Sequence, residues 1–213
     1  MDLELEQIRP LYLDAETIRR SEVWERRIVL EEGSGVVACG PSGRGKSTFL
    51  RILFGLERRF TGVLRIGGGD PGGAPFRRWP ALRAGRLAFV PQSFELFEDE
   101  DGWTNLARPP VRMPGVSDEA IAAWAGRIGI GHLLDRCPET WSQGQRQRFC
   151  VLRALSTPFR WLFLDEPVSH LDPDSSARTM DLVREVCAAR GAGWILASQT
   201  AGRTSPEDRV LRL

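Results

Sequence analysis

The sequence predicts an α/β fold: a mainly parallel sheet core flanked by helices, with an N-terminal antiparallel β subdomain and a helical subdomain. Short apolar runs alternate with segments of helical spacing, which is typical of a parallel sheet covered on both faces. Near the N-terminus, apolar and polar residues alternate instead, which favours half-buried antiparallel strands. From about residue 100 to 157 the sequence changes to helical patterns joined by proline-containing connections.

Length and composition limit the possible functions. The chain has 213 residues and a formal net charge of +1, so it can bury a substantial core, and a broad basic surface for nucleic acid is not indicated. We expect one domain over residues 1–213, in which residues 1–99 and 158–213 form the core with the β subdomain. The longest apolar runs fall far short of the roughly 20 residues that span a bilayer, and residues 1–4 lack the features of a signal peptide. We therefore expect a cytoplasmic chain.

Five segments predict strands in the first half of the chain. Residues 3–6 and 28–30 alternate in the manner of antiparallel strands, and residues 63–66 are expected to join that group. Residues 36–39 and 87–90 are continuous apolar runs, which indicate buried strands of the main sheet.

Two polar segments predict surface loops. Residues 67–73 consist mostly of glycine, with one proline, which breaks regular structure. Residues 98–101 are all acidic and are expected to be solvated, with docking to a membrane partner as the alternative.

Residues 46–56, between the buried strand 36–39 and the loop 67–73, have helical spacing. The apolar side of that helix is formed by Phe49, Leu50, Leu53 and Leu56.

The second half continues the alternation of strands and helices. Ser117 is expected to cap a helix whose apolar stripe packs in the core of the helical subdomain. Residues 161–164 and 194–197 predict buried strands, and residues 174–190 predict a helix that ends at Gly191. The stripe of the first helix is formed by Ile121, Trp124 and Ile128.

Cysteine and histidine give little indication of metal or disulfide chemistry. The four cysteines are widely spaced, with no C-x-x-C pair, so we expect buried or half-buried thiols. The two histidines, His132 and His170, are too few for a histidine-based metal site. The cysteines are Cys39, Cys137, Cys150 and Cys187.

The run 40–48 carries the most functional information. It fits the phosphate-binding pattern G-x-x-x-x-G-K-[ST] at every fixed position, between a predicted strand and a predicted helix. Backbone N–H groups of such a loop point at phosphate oxygens, and the helix N-terminus adds positive charge. Lys46, the only lysine in the chain, would reach the β- and γ-phosphates, and the Ser47 hydroxyl would ligate Mg²⁺. The expected nucleotide contacts are Gly40, Pro41, Ser42, Gly43, Arg44, Gly45, Lys46, Ser47 and Thr48.

Carboxylates and an amide follow two other predicted strands. Asp165 and Glu166 end the strand 161–164; the first would hold Mg²⁺ and the second could polarise an attacking water. Gln92 ends the strand 87–90, where its side chain can reach the metal and that water. Further along the chain, the runs 141–148 and 169–172 flank this pair of carboxylates.

With these segments in place, the chain resembles the ATP-binding cassette family, specifically the nucleotide-binding subunit of a transporter, over nearly its whole length. The order and spacing match that family's Walker A, Q-loop, signature, Walker B and D-loop motifs. The resemblance implies Mg-ATP-driven dimerisation and ATP hydrolysis that power a separately encoded membrane permease at the inner face of the cell membrane. It implies that Ser142 and Gly144, with Gln145 beside them, contact the nucleotide on the P-loop of the other subunit of a homodimer or heterodimer.

Two departures from the family pattern bear on turnover. Trp141 and Gln143 replace the leucine and the first glycine of the usual signature, while Ser142, Gly144 and Gln145 remain. Gln199 stands where the family usually has a histidine that contacts the γ-phosphate, and glutamine cannot carry a proton charge. We expect slow or partner-dependent hydrolysis; the alternative is a hydrolysis-poor, ATP-gated switch. The resemblance implies that catalysis involves Glu166, Lys46, Gln92 and Gln199, with Ser47, Gln92 and Asp165 at the metal.

Several assignments stay open at this stage. The family's adenine-stacking aromatic could be Tyr12 or Trp24, and core packing is an equal explanation for either. His170 occupies a variable D-loop position, where an interface or surface role is favoured over a catalytic one. Residues 92–105 resemble ATPases of lipoprotein release or peptide export. Cassette ATPases of DNA repair or translation are disfavoured, because this chain has neither a long coiled-coil insertion nor a second cassette.

Overall fold

The computed structural model describes residues 1–69, 78–108, 112–201, 205 and 207–213. Two short 3₁₀ helices, Gly131–Leu133 and Pro138–Thr140, lie just before the α-helix that begins at Gln143. In chain order the strands and the α-helices are β1 (Leu3–Pro10), α1 (Ala15–Arg20), β2 (Arg27–Leu30), β3 (Gly35–Cys39), α2 (Lys46–Leu53), β4 (Phe60–Ile66), α3 (Arg78–Gly85), β5 (Leu87–Val90), α4 (Gly102–Ala107), α5 (Asp118–Arg127), α6 (Gln143–Leu155), β6 (Trp161–Asp165), α7 (Pro173–Arg190), β7 (Gly193–Ser198) and β8 (Arg209–Arg212).

Five strands form the predicted parallel sheet, in the order β5-β6-β7-β3-β8. Every neighbouring pair in it runs parallel. Strand β6 is buried at all five positions, as expected of an apolar strand covered on both faces. The parallel core predicted from the sequence is therefore confirmed.

The N-terminal strands form a separate antiparallel sheet in the order β2-β1-β4. Leu3 and Leu5 of β1 are fully buried, whereas Glu6 points outward, so the predicted alternation is confirmed. The register between β1 and β4 shifts between Glu6 and Arg9. Gln7, inside this irregularity, has a φ of 53°. The extra residue of a bulge is the ordinary reason for such a shift.

Two hydrophobic cores lie on opposite faces of the parallel sheet. Successive residues of a strand point to opposite faces, and so Leu162 packs in the core beneath α5, α6 and α7, while Phe163 packs with α2 and the antiparallel sheet. Each core is built from long-range contacts, which makes the sheet the shared framework of the helical region and the β subdomain.

The helical region follows its sequence signals. Ser117 caps α5 by accepting a hydrogen bond from the Ala120 N–H at 3.2 Å. Ile121 and Ile128 of the predicted stripe are fully buried and Trp124 packs against them from a partly buried position.

Helix α7 runs one residue longer at its start than predicted. It ends at Gly191, which adopts the left-handed conformation (φ 58°). Helices α1 and α3 were not predicted.

Two expectations are wrong in detail. Helix α2 ends at Leu53 rather than at residue 56, and Leu56 is 56% exposed instead of lying on the apolar side. The chain leaves the helix at Gly55, whose φ is +75° and whose position allows no side chain, because a Cβ there would lie 2.2 Å from Trp79. Cys137 is exposed, whereas the other three cysteines are buried.

Other sequence features have the following outcomes. Of the predicted loop 67–73, residues 70–73 lie outside the described residues. Among the helices that the structure describes, none is both long and apolar enough to cross a membrane.

Candidate functional site

The predicted site residues gather at one edge of the parallel sheet. Residue Gly40 directly follows β3, Glu166 follows β6 and Gln199 follows β7, while Gln92 lies two residues beyond β5. Because neighbouring parallel strands end at the same edge, the topology brings these positions to one side of the sheet. Ligands of open α/β sheets bind at this edge.

The loop 40–48 wraps the N-terminus of α2 and leaves it open. Gly45 precedes the helix with a φ of 92°, in the left-handed region, and no side chain caps the first turn. The N–H groups of that turn are therefore available to an anion. At the start of the loop, a Cβ on Gly40 would lie 2.5 Å from the carbonyl oxygen of Leu213, so only glycine fits there.

The ammonium of Lys46 lies inside the loop. Its Nζ donates to the carbonyl oxygens of Gly40 at 2.8 Å and Pro41 at 3.0 Å. The same atom lies 3.8 Å from Oε1 of Glu166. The Lys46 side chain is only 5% exposed, so two carbonyl oxygens and one carboxylate surround a buried cation inside the loop.

Ser47 and Asp165 face each other across the first turn of α2 and the end of β6. The Ser47 hydroxyl donates to Oδ1 of Asp165 at 2.9 Å. Burial raises the pKa of the Asp165 carboxyl above its ordinary value, against the smaller lowering effect of the Ser47 hydrogen bond. The pair thus places a hydroxyl oxygen and a desolvated carboxylate beside the phosphate-binding loop.

Glu166 has an unusual backbone conformation. Its φ is 50°, which is uncommon for a residue with a side chain and is found most often where surrounding structure enforces it. The Glu166 N–H donates to the Ala197 carbonyl of β7 at 3.1 Å. The half-buried carboxylate therefore leaves the end of β6 in a direction that is fixed by two strands.

The two glutamines of the site are exposed. Gln92 follows β5 and Gln199 follows β7, and both side chains face solvent. They lie at the edge predicted for them, without the burial that holds Lys46 and Asp165. Their roles in metal or phosphate contact remain predictions.

The start of α6 is arranged differently from the start of α2. Ser142 accepts a hydrogen bond from the Gln145 N–H at 3.2 Å, and the Gln145 side chain accepts one from the Ser142 N–H at 2.8 Å. This reciprocal capping box gives local acceptors to the N–H groups of Ser142 and Gln145. A Cβ on Gly144 would lie 2.9 Å from Leu171 and 3.4 Å from the carbonyl oxygen of His170, so the helix start packs closely on the 169–172 segment.

The two aromatic candidates for stacking on a base separate clearly. Trp24 is fully buried and meets Phe49 edge-on at 6.1 Å between ring centroids, which makes it a core residue. Tyr12 is 46% exposed, and its hydroxyl donates to Oγ1 of Thr48 in the loop at 2.9 Å. The Arg59 guanidinium lies 4.9 Å from the Tyr12 ring centroid. Of the two, only Tyr12 offers a ring at the surface of the site.

A groove opens beside the site. It has a volume of about 950 Å³ and is lined by α2, α3, β5, the segment after β5 and α6. Phe54, Phe89 and Leu96 contribute to its apolar lining. The basic side chains that line it are Arg51, Arg83, Arg108 and Arg153.

Glu98 and Asp99 of the acidic run 98–101 are exposed, as predicted, whereas Glu100 and Asp101 are half-buried, and three of the four carboxylates have partners. Glu98 pairs with Arg146 of α6, and Glu100 pairs with Arg108. Asp101 caps α4 by accepting from the Thr104 N–H at 2.7 Å. The run therefore ties the segment after β5 to the helical region.

Sequence reasoning missed one buried polar residue near the carboxylates. Gln147 of α6 is only 3% exposed and contacts the turn that carries Glu166. Its position in the run 141–148 gave no signal of this contact, because the contact joins two segments that are distant in the sequence.

Comparison with known proteins agrees with this geometry. The family model described as "ABC transporter" matches residues 26–169. The lipoprotein-releasing system ATP-binding protein LolD 2 from Caulobacter vibrioides is 31% identical over 185 residues, which cover 85% of this chain and 81% of the relative. The molybdate/tungstate import ATP-binding protein WtpC from Archaeoglobus fulgidus is 36% identical over 151 residues, covering 70% of this chain and 60% of the relative.

Solved structures share the fold. The dimeric structure of MJ0796, a bacterial ABC transporter cassette, matches with a TM-score of 0.78 at 21% identity and covers 99% of this chain and 94% of that chain. The same cassette in a post-hydrolysis state bound to ADP and Pi matches with a TM-score of 0.73 at 22% identity, covering 93% of this chain and 88% of that chain.

Proposed function

The chain belongs to the ABC transporter family as an ATP-binding ATPase subunit, and from this premise we propose that it binds Mg-ATP at the loop 40–48 and hydrolyses it to power a separate membrane permease. The observation that carries the proposal is the meeting of four side chains at one sheet edge. Lys46 and Ser47 enter from the loop, Asp165 and Glu166 from the end of β6. These supply a phosphate-binding cation, a hydroxyl, a metal-binding carboxylate and a candidate base.

Nucleotide binding would rearrange the contacts of Lys46. Its Nζ now bonds two loop carbonyls and faces Glu166. Phosphate oxygens entering the loop would accept from the ammonium and from the open N–H groups of α2. The Glu166 carboxylate would then lose its cationic neighbour to the phosphates and become available for proton transfer. Tyr12, at the surface of the loop, is the proposed stacking partner of the base.

The residues beside the loop fit a magnesium ion. Ser47 Oγ and Asp165 Oδ1 lie 2.9 Å apart, and both are oxygen donors of the kind that Mg²⁺ prefers. Such an ion typically takes one or two protein oxygens together with phosphates and waters, so a larger acidic cluster is not needed. We propose Gln92 as a further ligand. Bound Mg²⁺ would neutralise charge on the phosphates.

The chemical step uses Glu166 as the general base. A water oxygen attacks the γ-phosphorus, its proton passes to the Glu166 carboxylate, and the bond from that phosphorus to the ADP oxygen breaks. Lys46 stabilises the negative charge that develops on the phosphate oxygens. Gln199, at the exposed end of β7, would donate a hydrogen bond to the γ-phosphate.

A second cassette would complete the site. Ser142, Gly144 and Gln145 lie at the exposed start of α6, and their contacts in this chain are with one another and with the 169–172 segment. We propose that they contact ATP on the loop of another subunit, either a second copy of this chain or a related one. Closure around two nucleotides would then bury both helix N-termini.

The permease is proposed to dock in the groove beside the site. The groove joins the core to the helical subdomain proposed for residues of about 100–157, so a segment seated there senses movement between them. Its apolar lining and basic residues suit an amphipathic helix with acidic side chains. This docking would place the chain at the membrane periphery. The named relatives belong to release and import systems, so the cargo is a property of the permease.

One observation favours a second function. Gln199 cannot take up a proton as histidine does, and its side chain is exposed at the end of β7. The alternative is an ATP-gated switch that binds nucleotide and hydrolyses it negligibly. Replacement Gln199→His separates the two: a large gain in kcat indicates that the native residue withholds turnover, whereas an unchanged rate indicates that glutamine serves equally well.

Phosphate release from Mg-ATP tests the proposed function. The purified chain is compared with Glu166→Gln, and ATP binding is measured on both. We expect the variant to bind ATP with wild-type affinity and to release phosphate at least about 100-fold more slowly, because it lacks the general base. Equal rates in the two proteins would remove Glu166 from the chemistry, and failure of both to bind ATP would overturn the proposal.

A further inference from the structure

Gln147 makes an unusual set of contacts for a buried side chain. Its Nε2 lies 3.2 Å from the Glu166 carbonyl oxygen, 3.1 Å from Ser169 Oγ and 3.0 Å from His170 Nδ1. Its Oε1 accepts from the His170 backbone N–H at 3.2 Å. Donor and acceptor ends of one amide are therefore both engaged with the same turn, residues 166–170.

That turn holds Glu166 in a backbone conformation that is unfavourable for a residue with a side chain. A positive φ at a residue with a side chain persists only when its surroundings over-determine it. On one side, the Glu166 N–H is fixed to Ala197 of β7. On the other side, the Glu166 carbonyl accepts from Ser169 within the turn and from Gln147 of α6. Gln147 is the one of these partners that belongs to the helical region.

We infer that Gln147 is a positioning residue for Glu166: it fixes the turn 166–170 to α6 and thereby sets where the carboxylate points. The inference rests on the proposed function, because it concerns the base of the proposed reaction. The direction in which the Glu166 side chain points depends on the backbone conformation at its own Cα. Loosening its carbonyl therefore moves the carboxylate relative to the loop 40–48.

The geometry also indicates that the turn outlasts the loss of Gln147. The Glu166 carbonyl keeps its bonds from the Ser169 N–H at 3.3 Å and the Ser169 hydroxyl at 3.1 Å. The Leu171 N–H keeps the Val168 carbonyl at 3.2 Å. What disappears is the hydrogen bonding between the turn and α6 that runs through Gln147, including the acceptor 3.2 Å from the His170 N–H, while the close packing of Gly144 on the 169–172 segment remains. We therefore expect the loss of Gln147 to displace the turn without unfolding the protein.

The test is Gln147→Met, which keeps the length of the side chain and removes its hydrogen-bonding groups. We expect kcat for Mg-ATP to fall about tenfold while KM stays within threefold, since a displaced base slows the chemistry without changing phosphate binding. Gln147→Glu, which keeps an acceptor for His170 and loses both N–H groups, serves if the first variant fails to fold. Gln7→Met on β1 is the matched control and should leave both constants unchanged.

Hydrogen exchange in the nucleotide-free protein gives a second readout that does not require catalysis. The peptide covering residues 166–171 should exchange faster in Gln147→Met than in wild type, because the His170 N–H loses its acceptor, while the β1 peptide is unaffected. The inference would be overturned by a kcat within twofold of wild type, by a KM that changes in proportion to kcat, or by unchanged exchange. If wild type binds ATP but releases no phosphate, the kinetic comparison is lost, and the exchange result alone decides the role of Gln147 in holding the turn; failure to bind ATP would overturn the proposed function separately.

Discussion

The starts of α2 and α6 differ in how their backbone N–H groups are satisfied. Helix α2 begins after Gly45, without a side-chain cap, and its first turn opens onto the loop that holds Lys46. Helix α6 begins after Ser142 with a complete capping box made by its own side chains. The first end is prepared for an anion from solution. At the second end the Gln145 N–H already bonds the Ser142 hydroxyl, so the nucleotide that we propose another subunit presents there would have to displace that bond.

The largest expected effect comes from a change at the open start of α2. Replacement Lys46→Met removes the buried cation, and we expect the affinity for Mg-ATP to fall at least about 100-fold, because the loop then lacks the charge that faces the β- and γ-phosphates. Fluorescent-nucleotide titration measures it. Lys46→Arg is the matched variant: its fork keeps the charge but not the compact shape, so we expect an intermediate loss. Full affinity in Lys46→Met would show that α2 alone binds the phosphates.

A pair of serines sharpens the comparison at the closed end. Ser142 and Ser117 each accept from the N–H three residues on at 3.2 Å, on α6 and α5 respectively. Replacement of either by alanine should lower the free energy of unfolding by about 1 kcal/mol, through loss of the cap. Only Ser142→Ala should also lower kcat, by about tenfold.

Denaturant unfolding and phosphate release measure the two effects on the serine variants. Equal kcat in Ser142→Ala and Ser117→Ala would mean that Ser142 is a helix cap and nothing more.

The smallest expected effect concerns the stability of the site without ligand. Burial raises the pKa of Asp165, so the folded chain binds this proton more tightly than the unfolded chain does. The corresponding stability is present below the unfolded pKa and is lost as pH rises through the folded pKa. At neutral pH, Asp165→Asn should therefore raise the free energy of unfolding by about 1 kcal/mol, a shift of about 2–4 °C in Tm.

Thermal unfolding as a function of pH checks this. The difference between Asp165→Asn and wild type should narrow as the pH is lowered toward the ordinary carboxyl range. A variant that is less stable than wild type at pH 7 would mean that Asp165 acts mainly as the acceptor for Ser47.

Local patterns were sufficient to predict most of the fold. Continuous apolar runs identified β3, β5, β6 and β7 of the parallel sheet, and alternation identified β1 and β2, because burial on two faces or on one leaves a direct trace in the sequence. Strand β8, with the sequence RVLR, has no such run. The end of α2 was misplaced by three residues. The local signal that was not used is Gly55, a glycine of the kind that commonly ends a helix, and Trp79 of α3 packs where a side chain on it would lie.

The site divides in the same way. The loop 40–48 and the pair Asp165–Glu166 were recognised because each lies in one short segment with fixed spacing. The choice between Tyr12 and Trp24 required burial, which only the folded chain supplies. Gln147 could not be predicted, because its contacts join α6 to a turn on the other side of β6.

The most direct test of the contrast between the two helix starts is sedimentation velocity of Glu166→Gln with and without saturating Mg-ATP. This variant is expected to bind ATP without consuming it, which preserves any assembly that the nucleotide stabilises. We expect a monomer without nucleotide, a dimer with Mg-ATP, and a monomer in both conditions when Ser142→Ala is added. A Glu166→Gln chain that binds Mg-ATP and stays monomeric would contradict completion of the site by a second copy of this chain.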